Sequence, residues 1–282
     1  MSVYVFDTSA INHLSDDDRY RNSIVKSLIP TNCVWISALN IMEIARTSSK
    51  KKRNRLLALL KTLSNKTLAI DIPSYIVQRS IIAYKKHEKN LLISVPEERG
   101  VFNSILTKPE GLKDDVIEYF NEELEKVESN FLNLHENGRI SMQKVVEEIE
   151  QDIELVPFID HELSPDGLFK NFFNDVYKNI FLDAQGLTYE EIMPIINAVP
   201  EIMYFFTAWM YSIYERGIAK YGYGKKNAGN VDLWFAPYLA RVDYIITADI
   251  RQYGLLKFVS EYHNTKGKVL LYDAFKKRMK VK

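Results

Sequence analysis

Four acidic residues, widely separated along the chain, stand at positions from which carboxylates can act together. Asp7 ends the apolar run Val3-Tyr4-Val5-Phe6, and Asp249 lies two residues beyond Tyr244-Ile245-Ile246-Thr247. In open parallel sheets, ligands bind outside the carboxyl ends of strands, so two carboxylates placed there share one rim. Glu43 sits among Ile41, Met42, Ile44 and Ala45, where a charge is costly to bury unless paired or coordinated. Asp232 opens a segment beside Leu233, Trp234 and Phe235. Clustered carboxylates repel one another; a hard divalent cation, which prefers oxygen ligands, relieves that repulsion. Such an ion can activate water for in-line attack. Each acid also has a plainer reading. Asp7 and Asp249 suit helix N-caps, Asp232 suits a helix N-terminus electrostatically, and Glu43 fits an exposed stripe with Asn40 and Thr47.

Other reactive side chains form no comparable pattern. His13, His87, His135, His161 and His263 lack ligand-like spacing and read as structural or surface residues. The single cysteine, Cys33, allows neither an internal disulfide nor a zinc cluster, and in CVWIS it reads as a buried thiol. Candidate phosphate contacts are Lys225 and Lys226 before Asp232, and Arg251 after Asp249. The run Lys50-Lys51-Lys52-Arg53-Asn54-Arg55 is a further candidate, although a solvated helix start explains it nearly as well.

The elements that must position these residues alternate at both ends of the chain. Val3–Phe6, Cys33–Ile36, 67–72, Tyr244–Thr247 and 268–272 read as strands. Ser37 caps a helix carrying Ile41, Met42, Ile44 and Ala45; further helices are expected over 52–63, from Pro73 to about His87, over 201–220 and over 231–241. Continuous apolar strands alternating with helices indicate an α/β fold, a parallel sheet flanked by helices. The middle, residues 89–200, carries 9 Lys+Arg against 23 Asp+Glu, whereas the two flanks together carry 28 against 14. Ile117, Phe120, Leu124, Val127, Phe131 and Leu134 form one heptad-like seam, and Met142, Val145, Ile149, Ile153 and Val156 a second. The expected organisation is a core in two parts, 1–88 and 201–282, interrupted by an acidic all-helical insertion over 89–200. The residues Phe205, Phe206, Trp209, Met210, Ile213 and Tyr214 present too much apolar area to face water.

With 46% hydrophobic and 26% charged residues, the chain has a globular composition. Its start, MSVYVFDTSA, lacks the basic and apolar regions of a secretory signal, and Ile202 to Tyr214 is too short to span a bilayer. A cytoplasmic protein without a membrane partner is the expectation.

Taken together, VFDTSAINHL, WISALNIMEIA and NVDLWFAPYLARVDYIITADIRQY resemble the successive motifs of PIN-domain nucleases. The resemblance covers about residues 1–88 and 220–275; its acids fall on Asp7, Glu43, Asp232 and Asp249, with Thr8, Ser9 and Thr247 as hydroxyl neighbours. It implies a PIN-like core whose four acids hold Mg²⁺ or Mn²⁺ and hydrolyse RNA, as a toxin or defence endoribonuclease. It also raises a homodimer, and an antitoxin or effector docked on the insertion, as partners. The chain departs from the family in its length and acidic insertion. Two alternatives stand beside this one. A haloacid-dehalogenase-type phosphatase also places an Asp after its first strand but expects a second Asp where Ser9 stands. A catalytically idle PIN scaffold would use the insertion to recruit a partner.

Overall fold

A computed structural model describes residues 1–64, 69–70, 112–122, 153–164, 189–217 and 232–279, with 76, 84, 102, 104–106, 108, 124–125 and 167 between them. The chain divides into two compact units: residues 1–75, 92–125 and 238–282 form the first, and 76–91 with 126–237 the second.

The first unit is an α/β layer built on a parallel sheet. β1 (Val3–Phe6) leads into α1 (Thr8–Asp16) and α2 (Arg21–Leu28), β2 (Cys33–Ser37) into α3 (Ala38–Ala45) and α4 (Lys50–Leu63), followed by the two-residue β3 (Ala69–Ile70). In the second unit α5 (Leu155–Glu162), α6 (Tyr189–Ala198) and α7 (Pro200–Gly217) precede a 3-10 helix, Asp232–Ala240, that ends in the first unit. β4 (Tyr244–Thr247), α8 (Ile250–Tyr262), β5 (Lys268–Leu271) and α9 (Tyr272–Arg278) complete the chain.

The strand order is β3-β2-β1-β4-β5, and every pairing is parallel. Val3 pairs with Cys33 on one side, and Tyr4 with Tyr244 on the other. The chain therefore steps outward from β1 to β2 and β3 in one direction, and from β4 to β5 in the other. The winding reverses between β1 and β4, so the carboxyl ends of these two strands border the crevice where such sheets take ligands.

The sequence makes the strands central because both of their faces are apolar. Tyr4, Val5 and Phe6 are buried, as are Ile245 and Ile246. Helices α1 (Ala10, Ile11, Leu14), α4 (Leu56, Leu57, Leu60) and α8 (Leu255, Leu256, Val259) supply buried apolar residues to the same core. From α9, Phe275 packs edge-on against Tyr4 and Phe6, with ring centroids at 5.9 and 5.2 Å. Such pairs add to the stabilisation from buried area. At the opposite, amino-terminal rim of the sheet, Val3 N donates to Asp243 Oδ2 at 2.8 Å. That bond, with Lys266 at 3.1 Å, holds the Asp243 carboxyl below its ordinary pKa.

In the second unit, Phe205, Phe206, Trp209, Met210 and Ile213 of α7 are buried, as the apolar area of this segment requires. Phe205 stands 5.6 Å from Phe206 and 5.0 Å from Trp234 by ring centroid. Tyr214 keeps its hydroxyl on a polar partner, donating to Ile153 O at 2.9 Å.

Several elements differ in detail from the sequence expectation. The segment expected as a helix over 231–241 is a 3-10 helix with Pro237 inside it. Tyr272 opens α9 instead of ending β5, and β2 extends to Ser37. Of the strand expected over 67–72, the described part is Ala69–Ile70. Residues 114–122 and 124–125 are helical, and Phe120 and Leu124 of the first seam are buried. The rest of that seam beyond Leu124, most of the second, and most of the helix expected after Pro73 lie outside the described residues. Cys33 is buried and forms no disulfide.

Candidate active site

Asp7 follows β1 directly. Its backbone N–H continues the sheet ladder to Ile246 O at 2.9 Å, which fixes the residue against the end of β4. The carboxylate then caps α1: Oδ1 accepts from Ala10 N at 2.6 Å. Thr247 Oγ1 donates to Oδ2 at 2.6 Å, and Ser9 Oγ lies 2.8 and 2.7 Å from the two oxygens. All of these partners are neutral. Asp7 is 3% exposed, and burial pushes its carboxyl up to about 6 against the opposing hydrogen bonds from Thr247, Ala10 N and Ser9. The nearby Asp249 charge raises it further.

Asp249 is exposed at the same rim. It caps α8, with Oδ1 accepting from Arg251 N at 2.7 Å and Gln252 N at 3.1 Å. Its own N–H is shared between Ser9 Oγ at 3.1 Å and Thr247 Oγ1 at 3.0 Å. Ser9 Oγ also accepts from Ala248 N at 2.9 Å. A hydroxyl has two lone pairs and one proton. With both lone pairs taken by the amides of Ala248 and Asp249, the Ser9 proton must go to Asp7. One hydroxyl thus ties the Asp7 carboxylate to the Asp249 backbone amide, across the point where the winding reverses.

Glu43 reaches the site from α3, which continues directly from β2. It is half-buried, and Thr8 Oγ1 donates to its Oε2. Asn40 Nδ2 donates to Thr8 Oγ1 at 3.1 Å, while its Oδ1 accepts from Ser37 N at 3.2 Å in a capping box. The box fixes which way the Asn40 amide points, so the Thr8 proton is directed to Glu43. Ser37 Oγ is itself anchored, 2.8 Å from the Tyr238 hydroxyl.

The structure therefore brings Glu43, Asp7 and Asp249 to the carboxyl ends of the adjacent strands β2, β1 and β4, respectively, with Thr8, Ser9 and Thr247 between them. The N-cap reading of Asp7 and Asp249 is also correct: each carboxylate caps a helix. Asp232 is half-buried at the start of the 3-10 helix and belongs to the second unit. Among the described residues, no group of three His, Cys, Asp or Glu side chains is arranged to hold a metal ion. Arg251 is exposed beside Asp249, whereas Lys225 and Lys226 lie outside the described residues. Within the basic run on α4, Arg53 is turned inward and donates to Thr47 O at 3.2 Å, and Arg55 pairs with Asp16. Arg53 is therefore buried away from any phosphate, whereas Arg55 stays partly exposed. Of the histidines, His13 and His161 are exposed, and burial pushes His263 down to about 4, so its ring is neutral. His87 and His135 lie outside the described residues.

Two amides of the site escape a reading by type and spacing. Asn40 has a signal in the pattern Ser37-x-x-Asn40, and Gln252 in Asp249-x-x-Gln252, both of capping-box form.

No family model matches the chain, and no curated protein or solved structure matches it either. The likeness to PIN-domain nucleases rests on the motifs themselves. Among the described residues, no helix is long and apolar enough to cross a membrane.

Proposed function

We propose that the chain is a Mg²⁺- or Mn²⁺-dependent endoribonuclease with its reaction centre at Asp7, Glu43 and Asp249. One observation carries the reading. Asp7 is a buried carboxylate at the sheet's reversal point, beside a second carboxylate, and none of its partners is a cation. Buried charges are paired or coordinate metal ions. The donor set fits a hard cation: it is all oxygen, and an ion that keeps several of its own waters needs one or two carboxylates. Asp7 and Asp249 would hold the ion most directly, with Glu43 on its waters, and Asp232 enters from the motif resemblance. A bound divalent ion supplies a nucleophilic water and neutralises charge on the phosphodiester. The chain's own task is to keep the carboxylates ionised and aimed, through the hydroxyls of Thr8, Ser9 and Thr247. Arg251, Lys225 and Lys226 are the proposed phosphate contacts.

The idle-scaffold alternative has an observation in its favour as well: both Asp7 and Asp249 already serve as helix caps. Cleavage of an RNA and a DNA of the same sequence, with Mg²⁺ or Mn²⁺ and again with EDTA, separates the two. A nuclease cuts RNA only when metal is present. A scaffold cuts neither strand under any condition.

A further inference from the structure

Thr247, which holds Asp7, has another polar neighbour. Gln252, in the first turn of α8, is 2% exposed; its Oε1 lies 3.0 Å from Thr247 Oγ1, and its buried Nε2 has no hydrogen-bond partner among the described residues. The Thr247 hydroxyl has one proton and two lone pairs. Asp7 Oδ2, at 2.6 Å, takes the proton, and Asp249 N, at 3.0 Å, occupies one lone pair. With Oε1 turned towards Thr247, the remaining lone pair faces another lone pair. Half a turn about the last side-chain bond exchanges Oε1 with Nε2 at no change of shape and places an N–H there instead. Turning the amide gives Thr247 a donor in place of an opposing lone pair, so the contact at Thr247 decides between the two orientations.

We propose that Gln252 is a positioning residue of the candidate site: its Nε2 donates to Thr247 Oγ1 and so holds the only Thr247 proton on Asp7. Gln252 then does for Asp7 what Asn40 does for Glu43 through Thr8. Each carboxylate is held by an amide acting through a hydroxyl, one from the first turn of α3 and one from the first turn of α8. Buried networks of this kind are rigid when every member is satisfied. The consequence for catalysis rests on the metal-dependent reading above, whereas the hydrogen bond does not.

The test uses the full chain in EDTA and reads the side-chain amide protons by ¹H–¹⁵N spectroscopy, with the Gln252 pair assigned by its loss in Gln252→Met. The expected result is one Gln252 proton shifted downfield, moving upfield in Thr247→Val and staying in place in Thr247→Ser. Gln252 protons indifferent to Thr247→Val would overturn the proposal. A second measurement compares cleavage rates at saturating RNA. Loss of one hydrogen bond worth about 1 kcal/mol corresponds to about a fivefold effect. Gln252→Met should therefore slow the wild type about fivefold and slow Thr247→Val no further, while equal losses in both backgrounds would also overturn it. An inactive wild type would remove the nuclease reading, and the amide-proton shifts would still decide whether Gln252 donates to Thr247.

Discussion

At the residue scale, the chemistry turns on Asp7. Its folded-state carboxyl lies at about 6, above the ordinary value of 3.8, with burial as the main cause. Folding therefore favours the protonated acid. This contribution to stability is fully present below about pH 4 and is lost as pH rises through 6. Above that, the ionised group weighs against the folded state by roughly 3 kcal/mol, at about 1.4 kcal/mol per pKa unit. In EDTA, wild-type stability should fall between about pH 4.5 and pH 7.5, and Asp7→Asn should lack that part of the decline. Denaturant unfolding at the two pH values measures it, and parallel curves for the two proteins would show that Asp7 is not the titrating group. Ser9 makes a second residue-scale prediction. Its hydroxyl satisfies the amides of Ala248 and Asp249 while donating to Asp7. Ser9→Ala should destabilise the fold by about 0.5–1.5 kcal/mol, the net worth of a hydrogen bond, because Thr247 still serves both the Asp7 carboxylate and the Asp249 amide. Equilibrium unfolding measures the loss.

At the element scale, the turn into β5 depends on Gly267. A Cβ there would lie 2.7 Å from Leu239 O and 2.9 Å from Leu239 Cα, and the Gly267 N–H is bonded to that same oxygen at 3.0 Å. Gly267→Ala must push the end of the 3-10 helix away from β5, at about 1–3 kcal/mol, the usual range for overpacking. A matching fall in unfolding free energy is the expected outcome. The elements themselves are largely legible in the sequence. β1 and β4 are apolar runs ended by Asp7 and by Thr247-Ala248-Asp249, so the pattern marks both the strands and the acids after them. The 3-10 helix is not distinguishable from an α-helix, because Asp-Leu-Trp-Phe-Ala-Pro-Tyr-Leu-Ala is apolar almost throughout and has no period to read. The partnership of Gln252 with Thr247 is illegible for another reason. It depends on how one hydroxyl's lone pairs are shared among groups from β1, β4 and α8, and spacing along the chain carries no record of that.

At the scale of the whole molecule, the sheet unit contains Asp7, Glu43 and Asp249, and the second unit contains Asp232. The strand order puts the first three on one rim, a placement that follows from parallel topology once Asp7 and the Glu43 helix succeed neighbouring strands. The proposed substrate makes a further prediction. Lys225→Ala with Lys226→Ala should weaken RNA binding and reduce the salt slope of log K by about 1.4, if each lysine contacts one phosphate of a single strand. Binding titrations between about 50 and 200 mM salt measure the slope. An unchanged slope would remove these lysines from the substrate path.

The most direct single measurement is cleavage of a defined RNA in Mn²⁺ by wild type and by Asp7→Asn, with each protein's unfolding curve recorded in the same buffer. If Asp7 holds the ion, Asp7→Asn remains folded and loses at least about 100-fold in rate, because the carboxylate has lost its charge. A folded Asp7→Asn protein that cuts as fast as wild type would contradict a metal centre at Asp7.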